Sequence, residues 1–208
     1  MGLDWRTEAR KYVCDILVRL GALRFGVFKL TSGRMSPYYI DLRLIPSHPE
    51  AFRRITDIYI RMLEEDVGLE AFDRIAGIPT AGIPFASVIA FKLGKPFLYI
   101  RKEAKAHGRE RRVEGVLNPG DKVMFVDDLI TTGRSILKAA SIVRSEGGVV
   151  DKALVLIDRE EGGREALAKS GITLHSLLSI TEAAKLLYEM GILDEEHYKT
   201  ILKQVRHR

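Results

Sequence analysis

Two adjacent carboxylates, Asp127 and Asp128, lie inside the stretch Val123 to Ser135, which reads VMFVDDLITTGRS. They are followed by the small polar loop Thr131-Thr132-Gly133-Arg134-Ser135. Backbone N–H groups at a helix N-terminus, exposed by a glycine-containing loop, form an anion site. Threonine and serine hydroxyls add donors without bulk. Two carboxylates at the carboxyl end of a strand need hydroxyls, a cation or water as partners. A ligand with a phosphate at one end and sugar hydroxyls or Mg²⁺ beside it satisfies all of these groups. A bare acidic pair would be explained equally well by a plain strand-to-helix turn with an acidic cap; the TTGRS that follows argues against that reading. No GxxxxGK occurs, and no GxGxxG follows a strand.

A second concentration of chemistry runs from Arg101 to Gly115. This stretch of about fifteen residues has almost no apolar member, and loops of that length are usually functional lids or disordered. Arg101, Lys102, Lys105, His107, Arg109, Arg111 and Arg112 would let it close over a diphosphate and neutralise charge on a leaving group. Composition alone would also suit a solvated surface loop.

These residues need a scaffold. Val123 to Val126 is a short buried-strand signal, and Ile136, Ala139, Ala140 and Val143 recur at helical spacing, with Thr132 or Ser135 available as N-cap. Upstream, Asp4–Leu20 reads as an amphipathic helix that Gly21 ends, and Phe25–Leu30 with Tyr38–Asp41 as a hairpin or small hood. Ser47 and Pro49 open a helix to about Asp66. Strands at 74–77, 97–100, 149–157 and 172–178 then alternate with helices at 83–93 and 164–169, and two helices, 181–190 and 194–205, close the chain. The rhythm predicts an α/β fold, a doubly wound, mainly parallel sheet flanked by helices, with ligands at the carboxyl ends of its strands. It forms a single domain over 1–208, of which residues 1–45 are the N-terminal helix and hood.

The 208 residues are enough for one core, and 46% hydrophobic with 29% charged residues fits a globular protein. The single cysteine, Cys14, excludes an internal disulfide, suits a reducing compartment and reads as structural. No apolar run approaches a membrane span, and charges throughout residues 1–15 argue against a signal peptide. A cytoplasmic protein is expected. The net charge of +5 permits anionic ligands without requiring nucleic acid.

VMFVDDLITTGRS resembles the phosphoribosyl diphosphate (PRPP) motif of type I phosphoribosyltransferases. RKEAKAHG resembles the catalytic loop of the orotate phosphoribosyltransferases in particular. FKLTSGRMSPYYID is similar to that family's hood, GIPTAGIPFA to its diphosphate-side loop and LIDREEGG to its segment after the fourth main strand. The resemblance spans roughly residues 5–185 in order. It implies Mg²⁺-dependent transfer of ribose 5-phosphate from PRPP to orotate, giving orotidine 5′-phosphate and diphosphate in de novo pyrimidine (UMP) biosynthesis. It also implies roles by motif position. Arg101, Lys102, Lys105 and His107 would contact PRPP and diphosphate, with Lys105 the catalytic lysine. Asp127 and Asp128 would meet the ribose hydroxyls, and Thr131, Thr132, Gly133, Arg134 and Ser135 would hold the ribose phosphate, Thr131 also approaching orotate. Arg159 would face the orotate carboxylate, and Tyr39 and Ile40 the pyrimidine. Thr80 and Ala81 would lie on the diphosphate side, with backbone N–H groups facing the ligand and a non-proline cis peptide near Thr80. No protein cage for the metal is implied, Mg²⁺ being held mainly by PRPP and water. A homodimer sharing its sites is implied, with Lys102 and His107 acting in trans.

Departures from the pattern are Thr31, where bacterial relatives carry a lysine that Lys29 could replace, and Thr80-Ala81, where they commonly carry tyrosine and lysine. Two rival readings remain: a purine-base phosphoribosyltransferase, which would lack Arg159 and this hood, and a PRPP-sensing transcription regulator of the same fold. The second needs a DNA-reading element, and a single helix precedes the hood.

Overall fold

The computed structural model describes residues 4–29, 35–101 and 112–206. Helix α1 (Trp5–Arg19) begins at Asp4, whose carboxylate accepts the N–H groups of Arg6 at 2.9 Å and Thr7 at 3.3 Å. It buries Val13, Cys14 and Leu17 on one face. Burial pushes the Cys14 thiol up to about 12, which fits its structural reading. Strands β1 (Leu23–Lys29) and β2 (Met35–Ile40) pair antiparallel as a two-stranded hood.

Helix α2 spans Pro49–Met62, so Ser47 does not open it. Residues 42–47 form a separate 3₁₀ turn and His48 occupies the N-cap position, with proline first in the helix, where its missing N–H costs nothing. The expected last turn of α2 is wound as a π-helix, Leu63–Val67. Strand β3 (Arg74–Gly77), helix α3 (Gly82–Leu93) and strand β4 (Phe97–Ile100) follow. Val113-Glu114 adds a two-residue strand, β5, antiparallel to β4; so short a strand carries no readable period.

Strand β6 covers Lys122–Ile130 and runs through the acidic pair instead of stopping before it. Helix α4 (Arg134–Ser145) has left-handed Gly133 at its N-cap and no side-chain cap, so neither Thr132 nor Ser135 caps it. Strand β7 (Val149–Asp158), helix α5 (Gly163–Lys169), strand β8 (Thr173–Ser179), helix α6 (Ile180–Glu189) and helix α7 (Glu195–Arg206) complete the order.

The main sheet runs β5-β4-β3-β6-β7-β8, parallel except for β5. Alternation along β6 feeds two cores. Met124 and Val126 join the cluster under α1, α2, α3 and α6, while Val123 and Phe125 join the one under α4 and α5. Strand order reverses between β3 and β6, because β4 lies on one side of β3 and β6 on the other. Such a switch point opens a crevice at the carboxyl ends of the two strands. The expected doubly wound, mainly parallel sheet is what the chain forms.

Candidate active site

The crevice is a cavity of about 200 Å³. Its walls are Pro79, Thr80 and Ala81 after β3, and residues 127–136 from the end of β6 into α4. The structure thus brings together Thr80, Ala81, Asp127, Asp128, Thr131, Thr132, Gly133, Arg134 and Ser135. The peptide joining Pro79 to Thr80 is cis. Because α4 has no side-chain cap, the N–H groups of its first turn remain for a ligand, and the helix dipole favours an anion there.

Close approach explains two glycines. A Cβ on Gly82 would stand 2.5 Å from the Val126 carbonyl oxygen and 2.9 Å from Asp127 Oδ1, so only glycine lets α3 start against the acidic strand. A Cβ on Gly163 would stand 2.4 Å from the Thr131 carbonyl oxygen, so α5 backs the phosphate-sized loop equally closely.

Asp127 is buried although charged by type. Its Oδ1 accepts the Asp128 N–H at 3.0 Å, and Asp128 Oδ1 accepts the Leu129 N–H at 2.8 Å. Burial, with the neighbouring Asp128 charge second, pushes the Asp127 carboxyl well above the usual carboxylate range. Burial likewise raises Asp128. From α2, the fully buried Tyr59 hydroxyl donates to the Asp127 carbonyl at 2.8 Å and ties that helix to the acidic strand.

Arg159 lies one strand over, its N–H donating to the Ile130 carbonyl at 3.0 Å. Its side chain is 5% exposed and forms an ion pair with Glu161, Nη2 to Oε1 at 3.0 Å. The guanidinium carbon stands 4.8 Å from the centre of the Tyr38 ring. Arg159 Nε and Nη2 have no hydrogen-bond partner among the described residues. These two nitrogens can present the side-on edge of a guanidinium, which pairs bidentately with a carboxylate.

Tyr39 and Ile40 are both in β2 but on opposite faces. Ile40 is buried, whereas the Tyr39 ring lies 5.7 Å from that of Phe28 and its hydroxyl accepts from Arg43 Nη2 at 3.2 Å. Arg101 lines a neighbouring cavity of about 400 Å³ with Pro79, Ser135, Arg112 and Lys138. Its Nη1 pairs with Glu114 at 3.1 Å. Lys102, Lys105, His107 and Thr31 lie outside the described residues. Sequence reasoning missed Tyr38, Tyr59 and Glu161. For Tyr38 the signal was available, since alternate residues of a strand share a face and Tyr38 shares that of Ile40.

The phosphoribosyl transferase domain model matches residues 45–184. The orotate phosphoribosyltransferase of Sulfolobus acidocaldarius is 46% identical over 179 residues, 86% of this chain and 88% of that protein. The solved orotate phosphoribosyltransferase of Aeropyrum pernix is 36% identical with a TM-score of 0.76, over 88% of this chain and 99% of that one. The UMP synthase of Leishmania donovani is 30% identical with a TM-score of 0.84; the match takes in 98% of this chain but 43% of that longer one.

Proposed function

We infer how this chain works from one premise: it belongs to the orotate phosphoribosyltransferases, which are built on the phosphoribosyl transferase domain. It is therefore a pentosyltransferase of pyrimidine biosynthesis. It passes ribose 5-phosphate from PRPP to orotate, forming a bond from the base nitrogen to the anomeric carbon as the bond to diphosphate breaks. The cavity enclosing Asp127–Ser135 carries the residue roles we propose.

The uncapped N-terminus of α4, with Thr131, Thr132, Gly133, Arg134 and Ser135, holds the 5-phosphate through backbone N–H groups and hydroxyls. Asp127 and Asp128 stand beside the ribose and orient its hydroxyls. The backbone of Thr80 and Ala81 faces the diphosphate, which makes up in part for the lysine and tyrosine this chain lacks there. Arg159 takes the orotate carboxylate on its Nε–Nη2 edge, supported by the burial of those two nitrogens, neither of which makes an aligned hydrogen bond. Tyr39 and Ile40 of the hood border the pyrimidine, now with Tyr38 behind the arginine. Arg101, Lys102, Lys105 and His107 neutralise the departing diphosphate. Lys105 is assigned as the catalytic lysine by its position in RKEAKAHG, and a reaction whose transition state resembles an oxocarbenium ion gains most from leaving-group stabilisation.

The donor set fits Mg²⁺ held mainly by substrate oxygens and water. Each carboxylate of the acidic pair already accepts a backbone N–H, which leaves its other lone pairs for a hydroxyl, a water or a cation. When bound, Mg²⁺ would screen the concentrated charge of the diphosphate. Asp127 and Asp128 are the residues positioned to reach it, directly or through water. The enzyme works as a homodimer with shared sites in the cytoplasm, a reading supported by the resemblance of RKEAKAHG to a loop that serves the partner's site. No helix among the described residues is long and apolar enough to cross a membrane.

The deciding assay follows orotate absorbance after addition of PRPP and Mg²⁺. Depletion that requires both supports this function. An unchanged orotate signal with consumption of a purine base would favour the sister reaction.

A further inference from the structure

We propose that Glu161 is a positioning residue that weakens the grip of Arg159 on a ligand carboxylate, so that the base and its nucleotide product are held loosely enough to turn over. The proposal rests on the reading of Arg159 as the carboxylate-binding arginine. Both side chains of the Arg159–Glu161 pair are 5% exposed, so the pair is desolvated and screened little by solvent. Their contact at 3.0 Å nevertheless leaves Arg159 Nη2, like Nε, without an aligned hydrogen bond. Glu161 therefore compensates the arginine's charge through Nη2 without an aligned hydrogen bond, leaving the hydrogens of the Nε–Nη2 edge for a ligand. Orientation comes instead from the Tyr38 ring against the guanidinium.

The loop is built to bring this carboxylate back toward the arginine. Glu160 adopts a left-handed backbone with φ of 54°, the single non-glycine residue to do so among the described residues. Its N–H donates to Asp158 Oδ1 at 2.9 Å, and its carboxylate accepts the Thr181 N–H at 2.9 Å, which fixes the turn from both sides. Gly162, at φ of 86°, then leads into α5. A ligand carboxylate arriving at Arg159 thus meets a like charge already in place. That repulsion lowers affinity for every carboxylate-bearing ligand and leaves a ligand without one unaffected.

The test is Glu161→Gln, which keeps shape and removes charge. Three readouts are expected to move together. The melting temperature without ligand falls, because the buried arginine loses its counter-ion. The upward shift of that temperature on adding orotate grows. KM for orotate drops about tenfold, the size of a one-unit interaction with a neighbouring like charge, while KM for PRPP stays put. Uracil, which lacks the carboxylate, should shift the melting temperature of both proteins equally. A merely structural Glu161 would lower the melting temperature and leave the orotate-induced shift unchanged or smaller, and that result overturns the proposal. Arg159→Ala separates the two levels of the argument. If it leaves orotate affinity intact, the reading of Arg159 itself fails. If it abolishes orotate affinity while Glu161→Gln brings no tightening, only the role of Glu161 fails.

Discussion

At the scale of single residues, the acidic pair sets function against stability. Asp127 is buried with its carboxyl raised, first by desolvation and then by Asp128. A carboxyl whose folded value lies above its unfolded one, about 3.9, binds more protons in the folded state, so its contribution to stability falls as pH rises from there toward the raised value. Asp127→Asn removes that penalty while keeping an oxygen for the Asp128 N–H. We expect the variant to melt a few degrees higher than the wild type near pH 8, and the gap to close as pH falls toward 4. With Asp127 orienting the ribose as proposed, turnover should collapse. Melting curves across that range beside one activity assay would check both halves, and a variant less stable at pH 8 would contradict the argument. At the other end of the ligand, Arg159→Ala should weaken orotate about ten- to a hundredfold, the loss of a charge-assisted bond worth roughly 1.5–3 kcal/mol, with PRPP little affected. Equal loss for both substrates would mean the arginine is structural.

At the scale of elements, the site depends on how closely two helices approach β6. Gly82 lies outside the left-handed region, so alanine there meets no conformational penalty, only the Val126 carbonyl and Asp127. Gly82→Ala should cost about 1–3 kcal/mol of stability as α3 retreats, and should raise KM for PRPP because the Pro79–Ala81 loop moves with it. Denaturant unfolding together with PRPP titration gives both numbers; an alanine variant with wild-type KM would show that the loop is positioned independently of the helix. The elements themselves were unevenly legible. Strands β3 and β4 could be read to the residue, because short apolar runs there are bounded by charges and glycine. The end of β6 could not, because charged residues at a strand's end normally mean that the strand has stopped. Here the ladder to β7 continues past them, from Asp127 opposite Val155 to Ile130 opposite Asp158. In the hood, adjacent residues of β2 point to opposite faces, with Ile40 buried and Tyr39 beside Phe28 and Arg43. Tyr38, on the same face as Ile40, stands beside Arg159, a contact that no pattern in the strand announces.

At the scale of the whole molecule, the chemistry needs cations that the described cavity does not itself concentrate. Among its lining residues the acids are Asp127 and Asp128 and the only cation is Arg134. If the Lys105 loop serves a partner's site, then mixing two inactive variants, Lys105→Ala and Asp128→Asn, and letting subunits exchange should restore activity, because each hybrid dimer holds one site free of both lesions. No recovery after demonstrated exchange would place Lys105 in its own subunit's site. The loop's individual roles are assigned by resemblance, since a polar run has no period to read and residues 102–111 lie outside the described residues. The hood has a further tie that no local pattern announces. His197 of α7 lies with its ring 5.7 Å from Phe25 of β1, so the last helix of the chain rests on the same hairpin whose Tyr38 backs Arg159. Handling of the recombinant protein therefore has a chemical dimension. An affinity tag appended after α7, or a protease nick between α6 and α7, should loosen orotate while sparing PRPP, and the same tag placed ahead of α1 should not. Purification strategy, seldom regarded as a kinetic variable, would then decide the apparent base affinity of the enzyme in the tube.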